Sequence, residues 1–215
     1  MRSALLIWGG WEGHQPRQCV ERISPLLESD GFLTIISDSL DTLCDTRIMA
    51  SVDLIVPCWT MGEISADQFS GLENAVRAGS GLAGWHGGMC DAFRSCTEYQ
   101  WMTGGQFVAH PGNIIDYVVH IENPSDPIVA GLNDFVMHSE QYYMHVDPSN
   151  EVLATTTFDG RHASWCAGCV MPVAWKRRYG EGKVFYSALG HAPQDFDVPE
   201  CLEILRRGMR WAARS

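Results

Sequence analysis

The pentapeptide Gly84-Trp85-His86-Gly87-Gly88 follows an apolar run and sets a histidine among three glycines. That spacing suits a sharp strand-to-helix turn, because glycine accepts positive φ and close backbone approach without steric cost. A side chain on such a turn is held out into a cleft. Histidine there can serve as base, acid or metal ligand, but it cannot form the acyl ester of a serine or the thioester of a cysteine. Other histidines sit in comparable places: His14 closes the loop after the first apolar run, His110 precedes Pro111, and His191 follows Leu189-Gly190. In a sheet that is parallel at its centre, His14, His86 and His191 emerge on one rim. Converging imidazoles can hold a divalent metal such as zinc, or divide acid and base roles between them.

Glu140, within Ser139-Glu140-Gln141-Tyr142-Tyr143, is the best carboxylate candidate. An acid beside aromatic surface is expected to have a raised pKa suited to proton transfer. His86, Glu140 and His191 are therefore the expected catalytic groups, with His14, His86 and His191 as the alternative metal set. Taken singly, each histidine also fits an ordinary turn or core position. Trp11, Trp59, Trp85, Trp101 and Trp165 lie in or near predicted loops, where indoles can form a platform for a sugar face. Trp11, His14, Trp85, His110 and Tyr142 are the expected substrate-binding groups. His120 and His162 read as surface residues.

The balance of 26 acidic against 15 basic side chains, a formal charge of −11, argues against nucleic acid or an anionic membrane as partner. A small sugar ligand remains open. The chain has neither a dinucleotide-binding glycine fingerprint nor a phosphate-binding loop, which argues against nicotinamide and ATP. No apolar run is long enough to span a bilayer, and Ala4–Trp8 is too short for a signal-peptide core, so a soluble cytoplasmic protein is expected. The eight cysteines lack a framework-like rhythm and are expected to be reduced. Cys166-Ala-Gly-Cys169 has the spacing of a zinc or redox pair without the second pair or the strand-to-helix context that either requires.

One α/β domain over 1–215 accommodates these features. Apolar runs at Ser3–Trp8, Phe32–Ser37, Asp53–Cys58 and Leu82–Trp85 predict strands, the last delivering the His86 turn. Between them, Pro16 opens a helix that ends near Asp30-Gly31, and Ser65 with Gln68 has the capping-box form. This alternation predicts a parallel sheet with helices on both faces. After a short helix around Tyr99–Met102, the stretch through Ile114–Ile121 reads as a small β insertion on the sheet edge. Its edge strand makes a homodimer plausible. Phe135–Tyr143, Val152–Phe158, Val170–Trp175 and Lys183–Ser187 are further expected strands, and a helix closes the chain from Pro199 to Ala213.

The ordered set Gly9-Gly-Trp-Glu-Gly-His14, Gly84-Trp-His-Gly-Gly88, Gly104-Gly-Gln-Phe-Val-Ala-His-Pro111, Ser139-Glu-Gln-Tyr-Tyr143, Met171-Pro-Val-Ala-Trp175 and Gly182-Lys-Val-Phe-Tyr-Ser-Ala-Leu-Gly-His191 resembles the ThuA-like (trehalose utilisation) family. The resemblance runs over nearly the whole chain. It implies the class I glutamine amidotransferase-like fold, a flavodoxin-like three-layer sandwich with a mainly parallel sheet, whose nucleophile elbow corresponds to residues 84–88. Amidotransferases carry a cysteine at that elbow; with His86 there, glutamine hydrolysis is excluded. The resemblance further implies a role in sugar catabolism alongside enzymes that make 3-keto sugars, with His14, His86, His110, Glu140 and His191 as cleft residues. Acid–base chemistry on a keto-sugar, zinc-dependent hydrolysis and ligand recognition without turnover are the functions left open.

Overall fold

The computed structural model describes residues 2–214. Its strands are β1 (Arg2–Gly10), β2 (Phe32–Ser37), β3 (Leu54–Thr60), β4 (Gly81–Trp85), β5 (Gly105–Ala109), β6 (Ile114–Ile121), β7 (Phe135–Glu140), β8 (Tyr143–Val146), β9 (Glu151–Thr157), β10 (Val170–Tyr179) and β11 (Gly182–Ser187). Its helices are α1 (Pro16–Ser29), α2 (Thr46–Ser51), α3 (Ala66–Arg77), α4 (His86–Cys90), α5 (Thr97–Thr103) and α6 (Pro199–Ala212). The main sheet has the order β2-β1-β3-β4-β11-β10-β9-β6-β7, and β5 pairs with β8 in a separate ribbon.

Strands β2, β1, β3, β4 and β11 run parallel; the apolar runs of β1, β3, β4 and β11 are buried on both faces, as helix-covered parallel strands must be, while the edge strand β2 leaves Leu33 and Ile36 exposed. Strands β10, β9, β6 and β7 continue the sheet in antiparallel pairs. The sheet is therefore mixed, which corrects the expected mainly parallel one. The stretch through Ile114–Ile121, expected as a small insertion on the sheet edge, supplies β6 to the main sheet, where it lies between β9 and β7. The expected strand Phe135–Tyr143 breaks after Glu140: β7 stays in the sheet, while β8 leaves to pair with β5, a strand that the sequence pattern did not reveal.

The chain leaves β1 toward β2 and then crosses back to β3 and β4. With right-handed crossovers this reversal puts α1 on one face and α2 and α3 on the other. Helix α1 buries Cys19, Val20, Ile23 and Leu27 at helical spacing, and Pro16 occupies its first turn. Helix α3 starts with the full Ser65/Gln68 capping box and buries Leu72, Ala75 and Val76. Helix α6 packs on β4 and β11. Gly208 lets it approach closely, because a Cβ there would lie 2.3 Å from the Phe185 ring.

Arg206 of α6 donates twice to the buried Asp30 carboxylate at the end of α1, at 2.9 and 2.7 Å. These hydrogen bonds hold the Asp30 carboxyl below its ordinary range despite burial. A carboxyl depressed in the folded state stabilises the fold above the unfolded carboxylate pKa of about 4 and loses that contribution as pH falls below it. Asp30→Asn is expected to cost roughly 1–2 kcal/mol at pH 7, the range of a partly buried charge-assisted bidentate pair. In urea unfolding, the gap between the two proteins should close toward pH 3; a gap independent of pH would disprove the ionic origin.

Candidate active site and metal centre

Strands β1, β3, β4 and β11 end on one rim, and the connections from the paired β1 and β3 leave in opposite directions there, the point where the strand order reverses and the usual location of ligand sites in such sheets. The loop after β1 carries His14, and Thr60 ends β3. His86 follows β4 directly, and the turn after β11 carries His191. Glu140 ends β7, which successive antiparallel pairings orient in the same direction as β11. On a flat sheet β7 would lie about 19 Å from β11, four strand spacings away. Yet Glu140 Oε2 is 3.3 Å from His191 Nδ1. The antiparallel half therefore curls over the rim, and β10 shows register shifts at Pro172/Ala174 and Ala174/Trp175, irregularities of the kind that bend a sheet.

Glu140 Oε2 sits 3.1 Å from His86 Nε2, 3.3 Å from His191 Nδ1 and 3.9 Å from His14 Nε2. Its other oxygen, Oε1, lies 3.6 Å from His110 Nε2. The sequence singled out all five residues, and the fold brings them together. The ligating atoms of His14, His86, Glu140 and His191 all lie within 4.8 Å of one another.

His86 Nδ1 lies 2.8 Å from the Ala188 carbonyl, which can only accept, so this nitrogen carries the proton. In the neutral ring Nε2 then presents a lone pair to the Glu140 carboxylate. Complete burial lowers the basicity of His86 more than the neighbouring carboxylate and carbonyl restore it. Two acceptors at 3.1 Å require a cation or a proton between them. His14 is bonded through Nδ1 to Thr60 Oγ1 at 2.8 Å. Burial, reinforced by the charges of His86 and His191, lowers its pKa to about 3, so it is neutral at physiological pH.

Burial pushes the Glu140 carboxyl up, but the flanking His191 and His86 outweigh it and hold the group below its ordinary range. This corrects the expected raised pKa: four imidazoles face the carboxyl, so its aromatic surroundings are not an apolar wall. The Glu140 carboxylate raises His191 against the opposing effect of burial. Even so, His191 Nδ1 is buried without a hydrogen-bond partner among the described residues.

A four-coordinate zinc with bonds of about 2.0–2.1 Å has ligand–ligand edges of roughly 3.3–3.4 Å. The separations from Glu140 bracket that value. His14 and His86 turn their outer nitrogens to Thr60 and the Ala188 carbonyl, as metal-bound imidazoles do. Neutral His14 and His86 with an ionised Glu140 are the protonation states that a divalent cation needs, and His191, raised by the carboxylate, would release a proton on binding it. The residues present fit the ion.

The indoles separate. Trp11 is 48% exposed and stands edge-on to His14 at the mouth. Trp85 is 2% exposed and packs against Phe196, so the expectation that it touches substrate is corrected: its strand is buried on both faces. Tyr142, 4% exposed, stacks on the His86 ring at 3.9 Å and supports that ring instead of offering a free face. Phe107 of β5 stacks with His110 and leans on Tyr142. Sequence reading gave no role to Phe107, Thr60, Ser139 and Asp195: Phe107 and Ser139 lie inside the motifs of His110 and Glu140, and Thr60 and Asp195 lie in none. Trp101 and Trp165 are exposed on loops and helices that contribute none of the five site residues. Cys166 and Cys169 are free thiols and belong to no metal-competent group with these histidines.

The chain matches the sequence profile of the ThuA family, described as trehalose utilisation, over residues 3–212. Its fold is similar to a ThuA-like protein from Bacteroides uniformis ATCC 8492 (TM-score 0.80, 17% identity, covering 98% of this chain and 91% of that one). A ThuA-like protein from Parabacteroides merdae ATCC 43184 gives 0.77 at 18% identity, with coverage of 98% and 89%. A cytoplasmic protein from Salmonella typhimurium LT2 gives 0.69 at 12% identity, with coverage of 99% and 100%. No curated protein matches the sequence significantly.

Within the elbow, the positive φ belongs to His86 itself, at 45°, and Gly87 serves close approach. A Cβ on Gly87 would lie 2.5 Å from His14 Cε1 and 3.1 Å from Thr60 Oγ1. Gly87→Ala is expected to displace the His14 ring from the other imidazoles while the core stays intact. A crystal structure of the variant checks this; an unmoved His14 ring would refute it.

Proposed function

Because the chain belongs to the ThuA family, and because three imidazoles and a carboxylate converge in ligating geometry, we propose that it is a metal-dependent enzyme acting on a sugar or keto-sugar derivative. The single observation that carries this reading is the set of His14, His86, Glu140 and His191 donors within 4.8 Å of one another. A divalent ion such as zinc, held by these groups, would supply Lewis acidity toward a substrate oxygen or a water, for which it needs a coordination position beyond the protein donors. The protein's own part is to hold His14 and His86 neutral and to bury the centre; His191, raised by Glu140, gives up its proton when the ion binds. Glu140, with its acidity so strengthened by His191 and His86, is a poor free base and a good anionic ligand.

Substrate would reach the centre from the side of Trp11, His110 and His191, the site residues that keep some exposure to solvent. Trp11 offers an indole face to a sugar ring, and His110 a hydrogen bond to a hydroxyl. A net charge of −11 is in keeping with a small ligand rather than nucleic acid. No helix among the described residues is long and apolar enough to cross a membrane. The Salmonella relative in fold is described as cytoplasmic, and the same setting suits this chain.

The 3.1 Å contact between His86 and Glu140 also supports a metal-free reading in which the two exchange a proton with a keto-sugar. Elemental analysis of protein purified without added metal separates them. The metal reading expects about one divalent ion per chain, turnover of one or more members of a panel of disaccharides and their 3-keto forms, and loss of turnover with chelator. His86→Ala and Glu140→Gln should each cut metal affinity at least tenfold, the scale of ligand and supporting-group losses. Metal-free protein with chelator-resistant turnover would overturn it in favour of the proton-transfer pair, and ligand binding without product would favour a recognition module.

A further inference from the structure

The curl that carries Glu140 over the rim needs a fastening, and a single buried carboxylate supplies it. Asp195 lies in the short turn Pro193–Asp197 between β11 and α6 and is 7% exposed. Its Oδ2 accepts from the backbone N–H of His191 at 2.9 Å and from the Ser139 hydroxyl at 2.6 Å. Ser139 immediately precedes Glu140. One oxygen atom thus joins the loop bearing His191 to the strand end bearing Glu140, two donors that arise from opposite halves of the sheet.

We infer that Asp195 is a positioning residue that sets Glu140 and His191 at ligating distance; this rests on the metal reading above. His14 and His86 need no such device, since each is oriented by a bond to its own ring, from Thr60 and from the Ala188 carbonyl. The His191 ring lacks an equivalent hydrogen bond among the described residues: its buried Nδ1 lies 3.3 Å from Glu140 Oε2, and its other ring contacts are edge-on with His14 and His86. Its placement therefore passes through the backbone, and the backbone is held by Asp195. Tyr117 adds a second hold on the strand end by donating to the Glu140 carbonyl at 3.2 Å, which fixes the main chain of Glu140 but leaves its distance to His191 to the Asp195 link.

The test is cobalt(II) binding to the full chain, read by the visible d–d absorption and by competition with a chromophoric chelator. Asp195→Asn replaces a charged acceptor by a neutral one of the same shape; Ser139→Ala cuts only the link to the Glu140 strand. Both are expected to weaken cobalt affinity about tenfold or more and to change the absorption band, while the metal-free melting temperature of Ser139→Ala stays within a few degrees of wild type. Wild-type affinity and an unchanged band in both variants would overturn the positioning role alone. Failure of the wild-type chain to take up cobalt would overturn the metal reading and this inference with it, and is a distinct result. Should Asp195→Asn fail to fold, Ser139→Ala decides.

Discussion

A carboxylate withdrawn from water among imidazoles is the interaction on which the site depends. An isolated buried carboxylate is too costly to keep ionised and would take up a proton. Glu140 stays ionised because His86, His191, His14 and His110 surround its two oxygens within 3.9 Å. The same crowding keeps His14 and His86 neutral, since each imidazole that gained a proton would meet another nearby and would lose its hydration. The charge left over is negative, and it faces the imidazoles of His14, His86 and His191, of which His191 is the one shifted toward its protonated form.

The fold's division of labour follows from where each donor arises. The parallel half places His14, His86 and His191 on one rim, because chain direction alone puts the C-terminal ends of its strands together. In this chain it does not supply the carboxylate. That group comes from the antiparallel half, which reaches the centre only by bending through β10 and folding β7 back. The irregular β9–β10 pairing and the short β6–β9 pairing are consistent with a sheet that has given up ladder regularity to achieve that curvature.

Much of this was legible before any coordinates. Apolar runs bounded by glycine marked β1 and β4, the Ser65/Gln68 pair marked the start of α3, and histidines at strand ends marked the rim. Those signals are local. Strand direction is not: an alternating pattern such as Ile114–Ile121 reads alike in an insertion and in the antiparallel wing of a main sheet, so the mixed sheet was beyond reach. The sign of the Glu140 shift was equally hidden, since its aromatic neighbours in sequence suggested an apolar wall and the imidazoles that reverse the effect come from residues 14, 86, 110 and 191. Trp85 misled for a related reason. Adjacent residues on a buried strand face opposite ways, so a tryptophan beside a cleft histidine is directed into the core.

The elbow shows what the site costs the fold. His86 holds φ at 45°, a conformation that glycine adopts freely and that costs other residues on the order of 1–3 kcal/mol. Glycines stand on both sides of it, at 84, 87 and 88, so the chain has the residue type that would remove the strain and does not use it at 86. Stability alone would favour glycine there. The surrounding structure instead pins the strained residue: Tyr186 donates to the His86 carbonyl at 3.1 Å, the Ala188 carbonyl takes the ring proton, and Tyr142 stacks on the ring face. Each of these contacts constrains orientation, and together they aim Nε2 at Glu140. A histidine kept in an unfavourable backbone conformation, and held there by three separate partners, is what the proposed role of its imidazole at the centre calls for.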